Sequence, residues 1–262
     1  MVTQVWSKIL NIIETKNLNI IRRNKILIKN LTFSIKDNQC WVVLGRNGSG
    51  KSSFLKAMAG LDPYLGEIFL VKRNIEEYPV KNRAQKLGLL LQQSAFNFQS
   101  TVLEMTLSGG FPHQQTWGFE SQDDLDRAIK SLKKVEMSDL INEKIESLSG
   151  GELRRVEISR LLHQNPVIAM LDEPLNNLDL NHQIKILALL RDKFCSEGKS
   201  LLITLHDINL TLKVATHLLL LKGNGEWIAG QVELLGRRKI LSEYLDCKII
   251  EHQTQNGSLF TI

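Results

Sequence analysis

The sequence predicts an α/β fold on a mixed β-sheet, with an N-terminal antiparallel β segment and a helical insertion at about residues 95–148. Three observations predict it. Apolar runs of strand length at Trp41-Val42-Val43-Leu44, residues 167–171 and residues 201–205 are separated by helical patterns, the mark of a parallel sheet. The first run feeds Gly45-Arg46-Asn47-Gly48-Ser49-Gly50-Lys51-Ser52, a complete Gly-x4-Gly-Lys-Ser phosphate loop. Residues 9–32 alternate short apolar groups with turn-like Lys16-Asn17 and Arg22-Arg23-Asn24-Lys25, which reads as two or three antiparallel strands.

The remaining elements follow in order. Phe54, Leu55 and Met58 recur at helical spacing after the loop. The cluster at residues 60–66, rich in Gly and Pro, turns the chain into a strand at 67–71. Residues 87–91 form another apolar strand, closed by Gln92-Gln93. From about 102 to 147 the pattern is helical and amphipathic: Ser121-x-x-Asp124 is a capping box, and Leu125, Ile129, Leu132 and Val135 share a face. A helix at 182–194 lies between the strands at 167–171 and 201–205. Residues 218–221 and 227–229 form a final hairpin around Gly223-Asn224-Gly225. The whole chain, residues 1–262, is expected to form one domain carrying the helical insertion.

The 262 residues are 43% hydrophobic and 23% charged, an ordinary globular composition. No apolar run approaches the roughly 18 residues that cross a bilayer. The first eight residues lack the charged start and apolar core of a signal peptide. Cys40, Cys195 and Cys247 are too scattered for a disulfide framework or a zinc site, so a cytoplasmic protein is expected. The net charge is +5, but the basic residues are dispersed and their densest groups (Arg22-Arg23, Arg154-Arg155, Arg237-Arg238-Lys239) are short. No nucleic-acid partner is expected.

The phosphate loop has a physical purpose. Its glycines let the backbone wrap a polyphosphate, and freed N–H groups at the helix start point at the anion with the helix dipole behind them. Residues Gly45, Arg46, Asn47, Gly48, Ser49, Gly50, Lys51, Ser52 and Ser53 are the candidate nucleotide contacts. Lys51 can reach the β- and γ-phosphates, and the Ser52 hydroxyl suits Mg²⁺. The strand at 167–171 ends in Asp172-Glu173-Pro174. Asp172 is placed to hold Mg²⁺ against the nucleotide, and Glu173 to orient or deprotonate a water for attack on the γ-phosphate. Leu148-Ser149-Gly150-Gly151-Glu152 opens a helical pattern, where a serine and two glycines can make a second anion site.

Leu148-Ser149-Gly150-Gly151-Glu152 resembles the signature of ABC-type ATPases. The order of phosphate loop, Gln92, signature, Asp172-Glu173, Asn177-Leu178-Asp179 and His206 matches that family over roughly residues 10–250. The resemblance implies an ABC-type ATPase core using ATP and Mg²⁺. It implies that Gln92 contacts Mg²⁺ and the attacking water, with Gln93 the alternative. Asp179 would lie where two subunits meet, and His206 would contact the γ-phosphate. It also implies a homodimer formed on ATP binding, with ATP between the phosphate loop of one chain and Ser149, Gly150 and Gly151 of the other. Leu107-Ser108-Gly109-Gly110-Phe111-Pro112-His113, residues 205–210 and Asn176-Asn177-Leu178-Asp179 are similar to ATPases of iron-siderophore, haem and cobalamin importers.

That resemblance implies an ATP-hydrolysing subunit at the inner face of the membrane, powering import of a metal chelate. Its partners would be separate permease subunits and, indirectly, a substrate-binding protein. Two other readings stand beside it: a soluble ABC-type ATPase in nucleic-acid repair or translation, and a catalytically silent regulatory subunit. The chain departs from the family in three places. The aromatic that stacks on adenine is expected near Ile20 or Ile21, neither of which is aromatic, with Trp6 a substitute outside that register. Glu152 replaces the commoner glutamine, and Leu175 fills a position usually small or hydroxylic.

Overall fold

In the computed structural model, which describes residues 11–92, 99–114, 121–255 and 257–261, the chain opens with two long paired strands, β1 (Asn11–Arg22) and β2 (Lys25–Lys36). The turn between them holds Arg23 and Asn24 at φ 46° and 63°, the positive pair that matches the twist of a tight hairpin. Lys16-Asn17, read from sequence as a turn, is instead a bulge inside β1. Asn17 has φ 50°, and the register to β2 shifts between Thr15 and Leu18.

β3 (Cys40–Gly45) is buried along its whole length and delivers the phosphate loop to α1 (Lys51–Met58). β4 (Leu65–Leu70) and β5 (Arg73–Asn74) complete an antiparallel sheet in the order β2-β1-β4-β5. After α2 (Val80–Lys86) and β6 (Leu87–Leu90) come α3 (Val102–Leu107), a 3₁₀ segment at Ser108–His113, α4 (Gln122–Lys134) and α5 (Gly150–Gln164). The capping box at Ser121 and Asp124 forms. On α4, however, the core takes Ala128 and Leu132, followed by Val135, and leaves Ile129 on the surface.

β7 (Ile168–Leu171), α6 (Leu180–Phe194), β8 (Ser200–Thr204), α7 (Ile208–Val214), β9 (His217–Leu221) and β10 (Trp227–Gln231) finish the central sheet. Its order is β10-β9-β3-β8-β7-β6, parallel except for the antiparallel edge strand β10. α8 (Val232–Leu235), α9 (Arg238–Leu245) and the hairpin of β11 (Ile250–Thr254) and β12 (Gly257–Thr261) follow. Trp6 and Gln93 lie outside the described residues.

Period-two alternation explains the two cores. On β3, Cys40, Val42 and Leu44 face one side of the sheet, where α5 and α6 pack. Trp41 and Val43 face the other, against Phe54, Leu55 and Met58 of α1 and the N-terminal sheet. A strand buried on both faces reads as a continuous apolar run, which is why residues 41–44 are so distinct in sequence.

Phe194 ends α6 and is fully buried in the first of these cores. Phe194→Ala should therefore lower unfolding free energy by about 3–5 kcal/mol, measured by urea denaturation. A loss under about 1 kcal/mol would mean that α6 is not anchored there.

Candidate active site

The phosphate loop is set by contacts its sequence cannot avoid. A Cβ on Gly45 would stand 2.4 Å from Ser49 Oγ and 2.5 Å from the Leu221 carbonyl oxygen, so only glycine fits where β3 ends. Gly48 and Gly50 take φ 77° and 105°, turning the backbone into α1, whose first turn carries no acidic residue. The positive end of that helix is left uncompensated by the chain itself. Lys51 is buried, and its Nζ donates to the carbonyls of Gly45 (2.8 Å) and Arg46 (3.4 Å). Burial pulls the ammonium pKa down, and the charges of Glu173 and Asp172 pull it back up.

The carboxylates stand at the end of β7. Asp172 is buried and accepts a hydrogen bond at Oδ1 from Thr204 Oγ1 (2.7 Å). That same hydroxyl accepts from the backbone N–H of Glu173 (2.8 Å). Glu173 adopts φ 47°, unusual for a residue with a Cβ. Three elements then converge on its carboxylate. Gln92 Nε2 and Asn176 Nδ2 donate to Oε2 at 2.8 and 2.7 Å, and His206 Nε2 lies 2.5 Å from Oε1. The candidate catalytic residues Gln92, Glu173 and His206 are thus brought into direct contact.

They share a cleft of about 680 Å³ with Gly48, Gly50, Lys51 and Ser52. The far end of that cleft is the β1–β2 turn, through Arg22, Arg23, Lys25 and Leu27. Ile20 and Ile21, expected against the base, do not line it. Ile20 is fully buried in the N-terminal core and Ile21 is 44% exposed. Arg22 is pinned there by Asp62 at 2.7 Å and by the Pro63 carbonyl at 3.2 Å.

The signature residues stand apart. Ser149, Gly150, Gly151 and Asp179 line a second cleft of about 530 Å³, with Arg155 and His182. Ser149 caps α5 and donates from Oγ to Glu152 Oε2 (2.6 Å), and this bond holds the Glu152 carboxyl below its usual range. Asp179 caps α6 by accepting from His182 N (2.9 Å), and that bond, with the His182 ring, lowers its pKa. No described contact joins this cleft to Lys51.

Two residues missed in sequence organise the centre. Thr204 bridges β8 to both carboxylate positions. Arg154, buried on α5, donates to the carbonyls of Leu91, Asp172, Glu173 and Pro174 and to Glu157 Oε2, at 2.7–3.2 Å. An opposite-charge pair at i,i+3 on the apolar face of a predicted helix is the signal that marks Arg154 and Glu157. The segment at Ser108–His113 serves packing: a Cβ on Gly109 would stand 2.2 Å from the Arg160 carbonyl oxygen, and His113 Nε2 lies 2.9 Å from the Gln164 carbonyl. Among the described residues no group of three or more His, Cys, Asp or Glu could hold a metal ion by itself, and no helix is long and apolar enough to cross a membrane.

The sequence model of the ABC transporter family matches residues 28–176. The chain is 33% identical to the ferric enterobactin transport ATP-binding protein FepC of Escherichia coli (strain K12) over 195 residues, covering 74% of this chain and 72% of FepC. It is 32% identical to the iron(3+)-hydroxamate import ATP-binding protein FhuC of Bacillus subtilis (strain 168) over 215 residues, 81% of this chain and 80% of FhuC. Among solved structures, the dimeric bacterial ABC transporter cassette MJ0796 superposes with a TM-score of 0.74 at 28% identity, covering 84% of this chain and 98% of that one.

Removing Arg154 would leave Glu157 buried and unpaired and free four carbonyls. Arg154→Met should cost about 3–5 kcal/mol of stability, read by urea denaturation. An unchanged denaturation midpoint would show that the network is dispensable.

Proposed function

The chain belongs to the ABC transporter family, and from that premise we propose that it is the ATP-hydrolysing subunit powering import of a metal chelate of the iron-siderophore, haem or cobalamin class through separate permease subunits. The observation that carries the ATPase reading is the Glu173 carboxylate, held by Gln92, Asn176 and His206 at the mouth of the cleft that Lys51 occupies. The identities with FepC and FhuC support the substrate class.

Nucleotide phosphates bind along the loop. Lys51 exchanges its bonds to the Gly45 and Arg46 carbonyls for the β- and γ-phosphates, and the N–H groups at the start of α1 face the same oxygens. Ser52, Gln92 and Asp172 offer a hydroxyl, an amide and a carboxylate, an oxygen donor set that fits Mg²⁺, so they would hold it. When bound, Mg²⁺ neutralises charge developing on the phosphates. Gln92 orients the attacking water, and Glu173 takes its proton as the water oxygen bonds to the γ-phosphorus. ADP then leaves with the electrons of the broken P–O bond. His206 contacts the γ-phosphate. Gly45, Arg46, Asn47, Gly48, Ser49, Gly50 and Ser53 complete the phosphate seat.

The separate cleft at Ser149 supports a dimeric reading. Ser149, Gly150 and Gly151 of a second copy, with its Asp179, would close over the nucleotide, as the dimeric state of MJ0796 suggests by analogy. In that arrangement the Ser149 hydroxyl turns from Glu152 to the γ-phosphate. The permease would dock on the surface around Gln92 and the helical insertion; on α2 and the 3₁₀ segment of that side of the molecule, Val80 and Phe111 are 73% and 57% exposed. Gln85 ties these two segments by donating to the Pro112 carbonyl at 2.8 Å. The chain would then sit on the inner face of the membrane through that contact.

Two experiments test this. Glu173→Gln keeps the shape but removes the base, so ATP turnover should fall about 10²–10⁴-fold while ATP binding persists. Near wild-type turnover would remove Glu173 from its role. In size-exclusion chromatography with ATP, Glu173→Gln should elute as a dimer and the Ser149→Arg/Glu173→Gln double variant as a monomer. An ATP-dependent dimer of the double variant would rule out the signature as half of the site.

A further inference from the structure

A third cleft, of about 770 Å³, lies at the C-terminal end of the molecule, away from both sites above. It forms where α7, the α8–α9 junction and the β11–β12 hairpin meet. The junction is fitted closely against α7: a Cβ on Gly236 would stand 2.6 Å from Leu212 Cδ2 and 2.7 Å from the Val232 carbonyl oxygen. The hairpin is fastened to α7 by a two-point clasp, Asn209 Nδ2 donating to the Phe260 carbonyl (2.9 Å) and Phe260 N donating to Asn209 Oδ1 (2.8 Å). The cleft is therefore a product of tertiary packing.

Its lining brings together four cations from two separate segments: Lys213 of α7 and Arg237, Arg238 and Lys239 of the α8–α9 junction. Among the described residues none of the four side chains has a hydrogen-bonding or ion-pairing partner. Only Glu233 and Glu251 line the cleft with opposite charge, and Glu251 Oε1 is already engaged by Ser258 Oγ (2.6 Å) and Gln253 Nε2 (3.0 Å). Gathering like charges around a concavity costs Coulomb energy that a scattered arrangement avoids. Between the cations the floor is apolar, from Leu212, Val232, Leu259 and Phe260.

We propose that this C-terminal cleft binds a phosphate-bearing anion that also carries an apolar portion. The two arginines give planar, multiply donating contacts to phosphate oxygens, Lys213 and Lys239 add point charges, and the floor takes the apolar part. The elements that bear the cations also reach the nucleotide cleft: α7 starts two residues beyond His206, and Asp246 at the end of α9 pairs with Arg46 of the phosphate loop.

The test titrates phenyl phosphate, a phosphate monoester with an apolar ring, into the full chain saturated with Mg-ADP, so that the phosphate loop is occupied. Vesicles of phosphatidylglycerol, against phosphatidylcholine alone, serve as the second probe. A free phosphate ester predicts phenyl phosphate binding without vesicle association, and a lipid headgroup predicts the reverse. Either binding should survive in Lys51→Ala and weaken at least about tenfold in Arg237→Gln/Arg238→Gln, where two exposed charge-assisted donors are lost without touching the core. Binding of neither probe, or undiminished binding by the double variant, overturns the proposal.

Discussion

One buried guanidinium holds the reaction centre in shape. Arginine has five N–H donors and no acceptor, and Arg154 has a partner for each of them: three carbonyls of the turn after β7, the Leu91 carbonyl beside Gln92, and the Glu157 carboxylate. The turn at 172–174 carries the left-handed Glu173, a conformation that costs energy and persists only when its surroundings over-determine it. Arg154 supplies that determination from below and Thr204 from the side, through the Glu173 N–H. A lysine, with one nitrogen, could not reach three successive carbonyls in a plane. Glu157 balances the charge, and the pair sits where an unpaired ion of either sign would be untenable.

Arg154 also connects parts that the chemistry keeps apart. It lies on α5, whose first residue follows Ser149, so the helix that presents the signature is bolted to the backbone of Leu91, next to Gln92, and of Glu173. The two clefts of one chain are separate in space but not mechanically independent. A displacement of α5 would reach the Glu173 turn through hydrogen bonds of ordinary length rather than through a loop.

What was legible in the sequence had a local cause. The phosphate loop, the apolar strand ending in Asp172-Glu173, the capping box at Ser121 and the Ser149-Gly150-Gly151 helix start are each complete within a few residues, so their chemistry can be read from spacing. Thr204 and Arg154 were opaque because their meaning lies in partners distant along the chain. A buried threonine at a strand end looks like any β-former until β7 is placed beside it. The base end of the cleft failed for a different reason. β1 carries bulges, and the register to β2 shifts between Thr15 and Leu18, Leu18 and Ile20, and Ile20 and Ile21. The extra residue at Lys16-Asn17 exchanges inward and outward faces along β1, and the later shifts change its partners on β2, so counting residues from the phosphate loop cannot say which side chain meets the cleft. The Arg22 and Arg23 turn does, and the isoleucines do not.

The same competition between local and distant partners sets the electrostatics of the phosphate loop. Lys51 is nearly enclosed beside two backbone carbonyls, and burial lowers its pKa while the charges of Glu173 and Asp172 oppose that effect. The loop thus carries its own stand-in for the ligand, since carbonyl oxygens occupy the ammonium donors that phosphate oxygens would take. In the proposed nucleotide complex, binding would exchange neutral acceptors for charged ones in the same place and strengthen each bond roughly twofold without creating a new burial. Ser49 is the complementary case: its Oγ is buried with no partner among the described residues, 2.4 Å from where a Cβ on Gly45 would stand, while a Cβ on Gly223 would stand 2.8 Å from the Ser49 Cα. A loop that already holds its lysine desolvated and leaves a hydroxyl unsatisfied has met much of the organising cost of the proposed phosphate site before any phosphate arrives.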